Sequence, residues 1–215
     1  MIISIRTERQ SDYAATENLT REAFYNVYAP GCDEHYLLHV LHRSKALIPQ
    51  LSLVAEYDGE VIGHVLGTRA KIVDNGLEWT DVLCLGPISV LPKHQRKGVA
   101  REMIRELGRR AGEGGYRAIL LYGNPEVYLK MGFLPAERFA ITTSDAMYAD
   151  ALHAMPLYPG ALNGIKGRYC EDPVFGIDAE AAKAFDEHFP PKGKMAGTPS
   201  QLRFQEILTL RRPAI

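Results

Sequence analysis

Apolar positions along the chain recur with two periods, which predicts a mixed α/β domain. Alternating or continuous apolar runs of strand length fall at residues 2–6, 51–57, 61–73, 81–91 and 117–122. Asp58-Gly59 and Asn75-Gly76 have the composition of two-residue hairpin turns, and Trp79 lies just after the second one. The second to fourth predicted strands therefore form an antiparallel meander.

Helical periodicity appears in three other places. Ser11-Asp12 can cap a helix that runs through Phe24, and Asp33-Glu34 can start a second one. The expected apolar face of the second helix is Tyr36, Leu37, Val40 and Leu41. A third helix begins at Gly98 or just before it and ends at Gly114-Gly115, with one apolar face made of Val99, Met103, Ile104, Leu107 and Ala111.

The fourth predicted strand, residues 81–91, contains Gly86-Pro87. Proline cannot donate a ladder hydrogen bond, and glycine inside a strand often marks a bulge. We expect the strand to separate from its neighbour near Pro87. The main-chain groups of Ile88, Ser89 and Val90 are then free for another partner.

The start of the third helix has the chemistry of a phosphate site. Gly98 and Ala100 leave the first turn uncovered, and the first N–H groups of a helix lack internal partners. Arg96, Lys97 and Arg101 add positive charge. An ordinary helix start on a basic surface fits the same residues. The spacing is neither that of a P-loop nor Gly-x-Gly-x-x-Gly, which disfavours a dinucleotide fold.

A short helix follows the strand at residues 117–122. Asn124 is its expected N-cap, Pro125 fits its first turn, and Gly132 is the expected residue after its end. Tyr128 lies in its middle. Two strands joined by a helix form a parallel pair, so their separation opens a cleft with the phosphate site at one end.

These motifs together resemble the GNAT superfamily of N-acetyltransferases. Residues 95–100, Gln-Arg-Lys-Gly-Val-Ala, match its Gln/Arg-x-x-Gly-x-Gly/Ala motif, and Tyr128 followed by Gly132-Phe133 is similar to its Tyr-x-x-x-Gly-Phe pattern. Within the superfamily the chain is most similar to the YhbS-like group of predicted acetyltransferases. The resemblance covers roughly residues 1–157. It implies an α/β GNAT fold, with a mixed central sheet that splays between strands four and five and is flanked by helices.

The resemblance also implies a cofactor site and one catalytic residue. Acetyl-CoA would lie in the cleft, and an N–H near Ile88 would polarise the thioester carbonyl. Tyr128 would donate a proton to the departing thiolate, although a tyrosine that only packs against the sulfur is the alternative. Asn124 would contact the pantetheine arm or orient its helix. The implied cofactor-binding residues are Ile88, Ser89, Val90, Gln95, Arg96, Lys97, Gly98, Val99, Ala100, Arg101 and Asn124.

The implied function is transfer of an acetyl group from acetyl-CoA to a primary amine by direct attack in a ternary complex. The alternative is a non-catalytic acyl-CoA sensor or partner-binding module on the same fold. The acceptor can be a small molecule or a protein amine. Glu78, Asp81 and His64 are candidate bases near the thioester, although a structural or exposed role is favoured for each, and water can serve instead.

Composition limits the classes of function and location that the chain can have. The chain has 215 residues, 24% of them charged, and a formal net charge of -1, so nothing global favours nucleic-acid binding. The three cysteines, Cys32, Cys84 and Cys170, have no metal-site or disulfide spacing, so we expect no metal and a reducing cytoplasm. No apolar run is long enough for a signal peptide or a membrane span. A monomer or a homodimer is expected.

The C-terminal part closes the sheet and then changes in character. Strands are expected at residues 138–141 and 149–157, with Met147, Tyr148 and Met155 near the acceptor end of the cleft. Residues 158–215 are predicted to form a loop-rich, helical C-terminal extension packed on the GNAT domain of residues 1–157. Its helices are expected at residues 178–189 and, after the Thr198 capping box, through residue 208, with a terminal strand as the alternative to the second. The extension can cover the acceptor site, dock on the sheet or build a dimer.

Overall fold

A computed structural model describes residues 1–214 and places nine strands in one mixed sheet. The strands, in chain order, are β1 Ser4–Thr7, β2 Leu47–Tyr57, β3 Glu60–Asp74, β4 Leu77–Val90, β5 Ala118–Tyr122, β6 Leu134–Pro135, β7 Ile141–Thr142, β8 Met147–Ala149, β9 Leu152–Pro156, β10 Gly167–Glu171 and β11 Arg211–Pro213. The main path across the sheet is β1-β2-β3-β4-β5-β9-β6, with β10 beside β3 and β7 beside β10. β8 and β11 form a separate antiparallel pair.

The described part of the chain contains six α-helices beside the strands. They are α1 Tyr13–Phe24, α2 Glu34–Leu41, α3 Val99–Glu113, α4 Pro125–Tyr128, α5 Ala179–Asp186 and α6 Pro199–Thr209. Within residues 1–214, none of them combines the length and the apolar character that a membrane span requires.

The predicted meander and splay are confirmed. Asp58 and Asn75 both adopt positive φ in their two-residue turns, and β2, β3 and β4 pair antiparallel on either side of them. β4 and β5 are parallel and pair only from Val82 to Cys84. Beyond Cys84 the two strands diverge, so β4 ends with one edge free of β5.

Helix α3, whose start is the predicted phosphate site, packs as its periodicity predicts. Val99, Met103, Ile104, Leu107 and Ala111 are all buried, and they pack on one face of the sheet. Gly63 in β3 allows this approach, because a Cβ there would lie 2.8 Å from Cε of Met103. α1 and α2 cover the opposite face, where Thr20 of α1 bonds to Ser89 of β4 across 2.8 Å.

The predicted apolar face of α2 is only partly correct. His35, Leu38 and Leu41 are buried, whereas Tyr36, Leu37 and Val40 are only partly buried. The buried imidazole of His35 faces Asp186 of α5 at 3.2 Å and packs against Phe189. This polar partner comes from residues about 150 positions away, which helical periodicity cannot reveal.

Two of the predicted C-terminal strands are wrong in extent. Residues 136–139 form a 3₁₀ turn that ends at Ala140 in a left-handed conformation, so only β7 remains of the strand expected at 138–141. The strand expected at 149–157 is divided into β8 and β9. The caps of α5 and α6 are confirmed: Asp178 and Thr198 accept hydrogen bonds from the first turns of their helices.

The extension also adds a strand to the main sheet, a pairing that the sequence did not indicate. β10 pairs with the part of β3 that β2 leaves open, from Ala70 to Val73. α6 ends in β11, which pairs with β8. A division of the chain at residue 157 stays a prediction.

Candidate active site

The free edge of β4 presents main-chain polar groups to the cleft. The N–H of Leu91 donates to the carbonyl of Ile62 in β3 at 2.9 Å. Because successive residues of a strand point their polar groups to opposite edges, those of Ile88 and Val90 point away from β3. The Val90 carbonyl accepts a hydrogen bond from Nε2 of Gln95 at 3.1 Å, which ties the next loop to this edge.

That loop leads into α3 through two left-handed residues. Arg96 has φ of 58° and Gly98, the N-cap of α3, has φ of 88°. A Cβ added at Gly98 would meet no protein atom within 4 Å, so the residue faces open space. The adjoining cavity has a volume of about 340 Å³ and is lined by Val90, His94, Gln95, Arg96, Gly98, Val99, Ala100, Arg101 and Met131. Unpaired helix N–H groups and two arginines make this outer cavity suited to an anion.

A second cavity of about 180 Å³ continues inward from the first. It is lined by Ile88, Val90, Gln95, Ala100, Val127, Tyr128 and Met131. Val90, Gln95, Ala100 and Met131 belong to both linings. The free edge of β4 therefore runs along one wall of these neighbouring cavities, which together are called the channel. The channel begins at the loop of residues 93–98, called the basic loop.

The channel continues into an inner cavity of about 250 Å³. Ile88 and Tyr128 line both the middle and the inner cavity, so they stand at the junction. The inner cavity is lined further by Phe24, Tyr28, Glu34, Leu37, Cys84, Leu85, Gly86, Pro87, Tyr122, Gly123, Glu171, Phe175 and Phe204. The wall thus combines the end of β4 with α1, α2, β10 and the C-terminal α6.

Tyr128 is held at the junction by its local sequence. Asn124 accepts a hydrogen bond from the N–H of Glu126 at 2.9 Å and so starts α4 at Pro125. The Tyr128 ring packs edge-on against Phe133, with centroids 5.7 Å apart. Burial raises the pKa of the Tyr128 phenol, and nearby Tyr28 adds to the effect. The hydroxyl is therefore protonated at neutral pH.

Two carboxyl groups line the inner cavity, one from α2 and one from β10. Glu34 begins α2, and burial raises its pKa to about 7. Glu171 ends β10, and burial raises its pKa as well, although the Cys84 thiol donates to its Oε1 from 3.3 Å. Burial therefore shifts the pKa of both carboxyl groups upward, unlike that of ordinary surface glutamates.

The structure brings most of the predicted site residues to the channel. Those that line it are Ile88, Val90, Gln95, Arg96, Gly98, Val99, Ala100, Arg101 and Tyr128. Three others do not line it. The Ser89 hydroxyl faces Thr20, Lys97 donates to the carbonyl of Lys93, and Asn124 caps α4.

The three candidate bases are engaged elsewhere. His64 is fully buried beside Glu8 and Ser52, Glu78 pairs with Lys71, and Asp81 pairs with Arg117. None of the three lines the inner cavity. Met147, Tyr148 and Met155 do not line it either, which is contrary to expectation. The Met155 side chain lies against α3 near Gly108.

Sequence reasoning missed several residues of the inner cavity. The sequence identifies Glu34 only as part of a helix start and Phe204 only as part of a predicted helix, and it assigns Gly123 no role. Glu171 lies in a segment without a recognisable motif. It becomes part of the site because β10 pairs with β3, about 100 residues earlier in the chain.

Comparison with known proteins identifies the family. Residues 13–133 match the acetyltransferase (GNAT) family. The uncharacterised N-acetyltransferase YhbS of Escherichia coli is 29% identical over 164 residues, which span 76% of this chain and 92% of that protein. The crystal structure of the E. coli protein with CoA superposes with a TM-score of 0.72 and 27% identity, covering 81% of this chain and 92% of that one.

A second solved structure agrees in fold. A GNAT acetyltransferase from Brucella melitensis, crystallised with acetyl-CoA, is 29% identical, with a TM-score of 0.65, covering 81% of this chain and 98% of that chain. The family match spans the parallel β4–β5 pair, the basic loop and Tyr128. The chain belongs to the acetyltransferase (GNAT) family.

Proposed function

We propose that the protein transfers an acetyl group from acetyl-CoA to a primary amine by direct attack within a ternary complex. The proposal rests on three neighbouring cavities that share lining residues, with Tyr128 and Ile88 common to the middle and inner cavities. A donor can enter from the basic loop, and an acceptor can enter the inner cavity. Their reactive ends then meet beside Tyr128.

The residues of the outer cavity fit the phosphates of acetyl-CoA. Gly98 leaves room for close approach, and the N–H groups at the start of α3 have no helical acceptors. Arg96 and Arg101 supply positive charge at the same cavity. Two relatives of similar fold were crystallised with CoA or acetyl-CoA, which supports this assignment.

The free edge of β4 suits the pantetheine arm. An extended amide chain can pair with the outward N–H and C=O groups of Ile88 and Val90 as an added strand would. Gln95 and Ala100 enclose the same stretch of the channel. This arrangement would deliver the thioester to the junction with the inner cavity.

In the reaction, the neutral amine nitrogen forms a bond to the thioester carbonyl carbon, and the carbon–sulfur bond breaks. Sulfur leaves with the electron pair and takes a proton from Tyr128. The nitrogen loses one proton to solvent or to a carboxylate, and Tyr128 is then reprotonated. An N–H near Ile88 would stabilise the negative charge on the carbonyl oxygen.

A non-catalytic acyl-CoA sensor is the competing function. It would use the outer and middle cavities equally well but has no need for a protonated tyrosine at the junction. The inner cavity beyond Tyr128 therefore favours transfer.

We also propose that the protein works in a reducing cytoplasm. Its three cysteines are free, and free thiols are usual in that compartment.

The test is acetyl-CoA binding by isothermal titration calorimetry, with Gly98→Glu as the variant. A glutamate at Gly98 places bulk and negative charge against the phosphates, and we expect affinity to fall at least about 100-fold. Gly115→Glu is the matched control, because Gly115 also has positive φ and open space at the other end of α3. Equal affinity in the two variants would refute the site.

A further inference from the structure

Two carboxyl groups line the inner cavity, and no cationic side chain of residues 1–214 accompanies them there. Glu34 and Glu171 line it, and among the described residues around it none is lysine, arginine or histidine. Glu171 contacts only a thiol, and Glu34 accepts a hydrogen bond from the N–H of Asp33 at 3.1 Å. Burying a carboxylate without a charged partner is costly. That cost raises the pKa of both groups, and a cationic ligand beside either of them would offset it.

A buried hydroxyl beside Glu171 gives a second observation of the same kind. Tyr169 and Glu171 are two residues apart on β10, so their side chains share a face. Tyr169 is only 1% exposed, and the neighbour of its hydroxyl is the Cys84 thiol, which is a weak hydrogen-bonding group. Buried polar groups are nearly always hydrogen-bonded. Tyr169 does not itself line the inner cavity, but its hydroxyl and the Cys84 thiol leave Glu171 with only weak polar partners behind the wall.

Six aromatic rings form much of the remaining wall. The rings are those of Phe24, Tyr28, Tyr122, Tyr128, Phe175 and Phe204. Tyr28 packs against Phe204 of α6, with centroids 4.7 Å apart, so the C-terminal extension closes this side. Aromatic faces bind both apolar groups and cations. The volume of about 250 Å³ is below the roughly 300–1,000 Å³ of drug-sized sites, which favours a small ligand.

We propose that the acceptor is a small cationic amine on an aromatic or bulky apolar body, held with its ammonium group against a carboxylate of the cavity wall, Glu34 or Glu171. This inference rests on the proposed acetyl transfer and names its substrate class. The two carboxylates attract the ammonium form and reject an acceptor that carries its own carboxylate. The rings enclose the body. Loss of the ammonium proton then leaves the nitrogen free to attack.

Matched acceptors test this class directly. Phenethylamine and phenylalanine differ by one carboxylate, as do tryptamine and tryptophan. With acetyl-CoA saturating, we expect kcat/KM for each amine to exceed that for its amino acid by about 100-fold or more, because a third carboxylate would meet Glu34 and Glu171. Spermidine, a cation without an apolar ring, should be a poorer acceptor than either arylalkylamine.

Two variants identify the carboxylates. Glu171→Gln or Glu34→Gln, whichever carboxylate holds the ammonium group, should raise the KM for phenethylamine about 10–100-fold, because it removes a negative charge beside the cation. Acetyl-CoA affinity should stay unchanged. Glu180→Gln is the matched control, since the Glu180 side chain is 87% exposed on α5. Phenethylamine binding to the CoA complex, measured by calorimetry, should follow the same order without any turnover.

The outcomes separate the two proposals. If acetyl-CoA binds but phenylalanine matches phenethylamine, or both glutamine variants match Glu180→Gln, the inference is overturned and the acetyl transfer stands. If acetyl-CoA does not bind, the proposed function fails. In that case, phenethylamine binding to the free protein still tests the amine site. Binding that is lost in Glu171→Gln or Glu34→Gln would support the site, and no binding to the unaltered protein would overturn it.

Discussion

The ring of Tyr128 lies where the side chain of any residue other than glycine at position 123 would begin. A Cβ added at Gly123 would lie 2.1 Å from Cε2 of Tyr128 and 2.6 Å from Cδ2. Gly123 does not have a positive φ, so its backbone imposes no requirement for glycine. The need for glycine is steric, and it links the end of β5 to the position of the proposed acid.

Gly123→Ala should therefore impair catalysis more than folding. The tyrosine ring must rotate away from the new methyl group, at a cost of about 1–3 kcal/mol. We expect kcat to fall about tenfold or more, with acetyl-CoA affinity little changed. Gly193→Ala is the control, because no atom lies within 4 Å of a Cβ there and its φ is ordinary. Equal kcat in the two variants would show that Tyr128 tolerates displacement.

Tyr128→Phe tests the acid itself. The substitution keeps the packing against Phe133 and removes only the hydroxyl, so kcat should fall about 100-fold or more while the dissociation constant of acetyl-CoA stays the same. Steady-state kinetics and calorimetry measure the two quantities. An unchanged kcat would show that Tyr128 contributes packing and is not the proton donor.

The pH profile supplies a second readout for the same residue. Because burial raises the pKa of Tyr128 above its ordinary value of about 10, the phenol keeps its proton throughout the neutral and mildly alkaline range. Activity of the unaltered protein should therefore show no loss assignable to Tyr128 up to about pH 10. A decline that begins near pH 9 and disappears in Tyr128→Phe would contradict this environment.

The sequence was sufficient for the parts of the site that come from one continuous segment. β4, the basic loop, α3, β5 and α4 lie between residues 77 and 128, and their turns and caps are local features. Gly98, Asn124 and the apolar face of α3 could be recognised because backbone sterics and helix geometry act over a few residues. The splay followed in the same way from Gly86-Pro87.

The acceptor side could not be predicted in this manner. Its wall joins α1, α2, β10 and α6, and these elements meet only through tertiary packing. Glu171 reaches the cavity because β10 pairs with the end of β3 that β2 leaves free. The apolar face of α2 was misjudged for a related reason: His35 is buried against α5 by a partner far along the chain.

Glu8 forms a buried network that should govern acid stability. One of its oxygens accepts from Ser52 at 2.5 Å and lies 3.2 Å from Nε2 of both His42 and His64. The Glu8 side chain is 1% exposed. Burial alone would raise the pKa of Glu8, but the two histidines outweigh it and hold that pKa far below its usual range.

Glu8→Gln should lower the free energy of unfolding by about 3–5 kcal/mol, the usual cost of removing one member of a buried ion pair. The depressed pKa of Glu8 means that its contribution is present above about pH 4.3 and is lost as pH falls. Hydrogen bonds to Glu17 and Glu8 overcome the opposing effect of burial and raise the pKa of His42, so its contribution is present below about pH 6.5 and is lost as pH rises through that raised value.

The stability difference between the unaltered protein and Glu8→Gln should therefore be largest between about pH 4.5 and 6.5. Urea denaturation at several pH values measures it, with exposed Glu180→Gln as the control. A difference that does not change with pH would indicate that neither His42 nor Glu8 titrates in this network.

Gly167 determines whether β10, and with it Glu171, can reach the sheet. A Cβ at Gly167 would lie 2.4 Å from the carbonyl oxygen of Val73 in β3, and the residue has φ of 119°. Gly167→Ala should push β10 from β3 and lower the free energy of unfolding by about 1–3 kcal/mol more than Gly164→Ala. Gly164 also has positive φ, but no atom lies within 4 Å of its added Cβ, so the comparison isolates the clash from backbone strain.

Because Glu171 ends the same strand, Gly167→Ala should also raise the KM for the amine acceptor while acetyl-CoA affinity stays constant. Equal stability and equal KM in the two variants would mean that β10 can shift without disturbing the acceptor pocket.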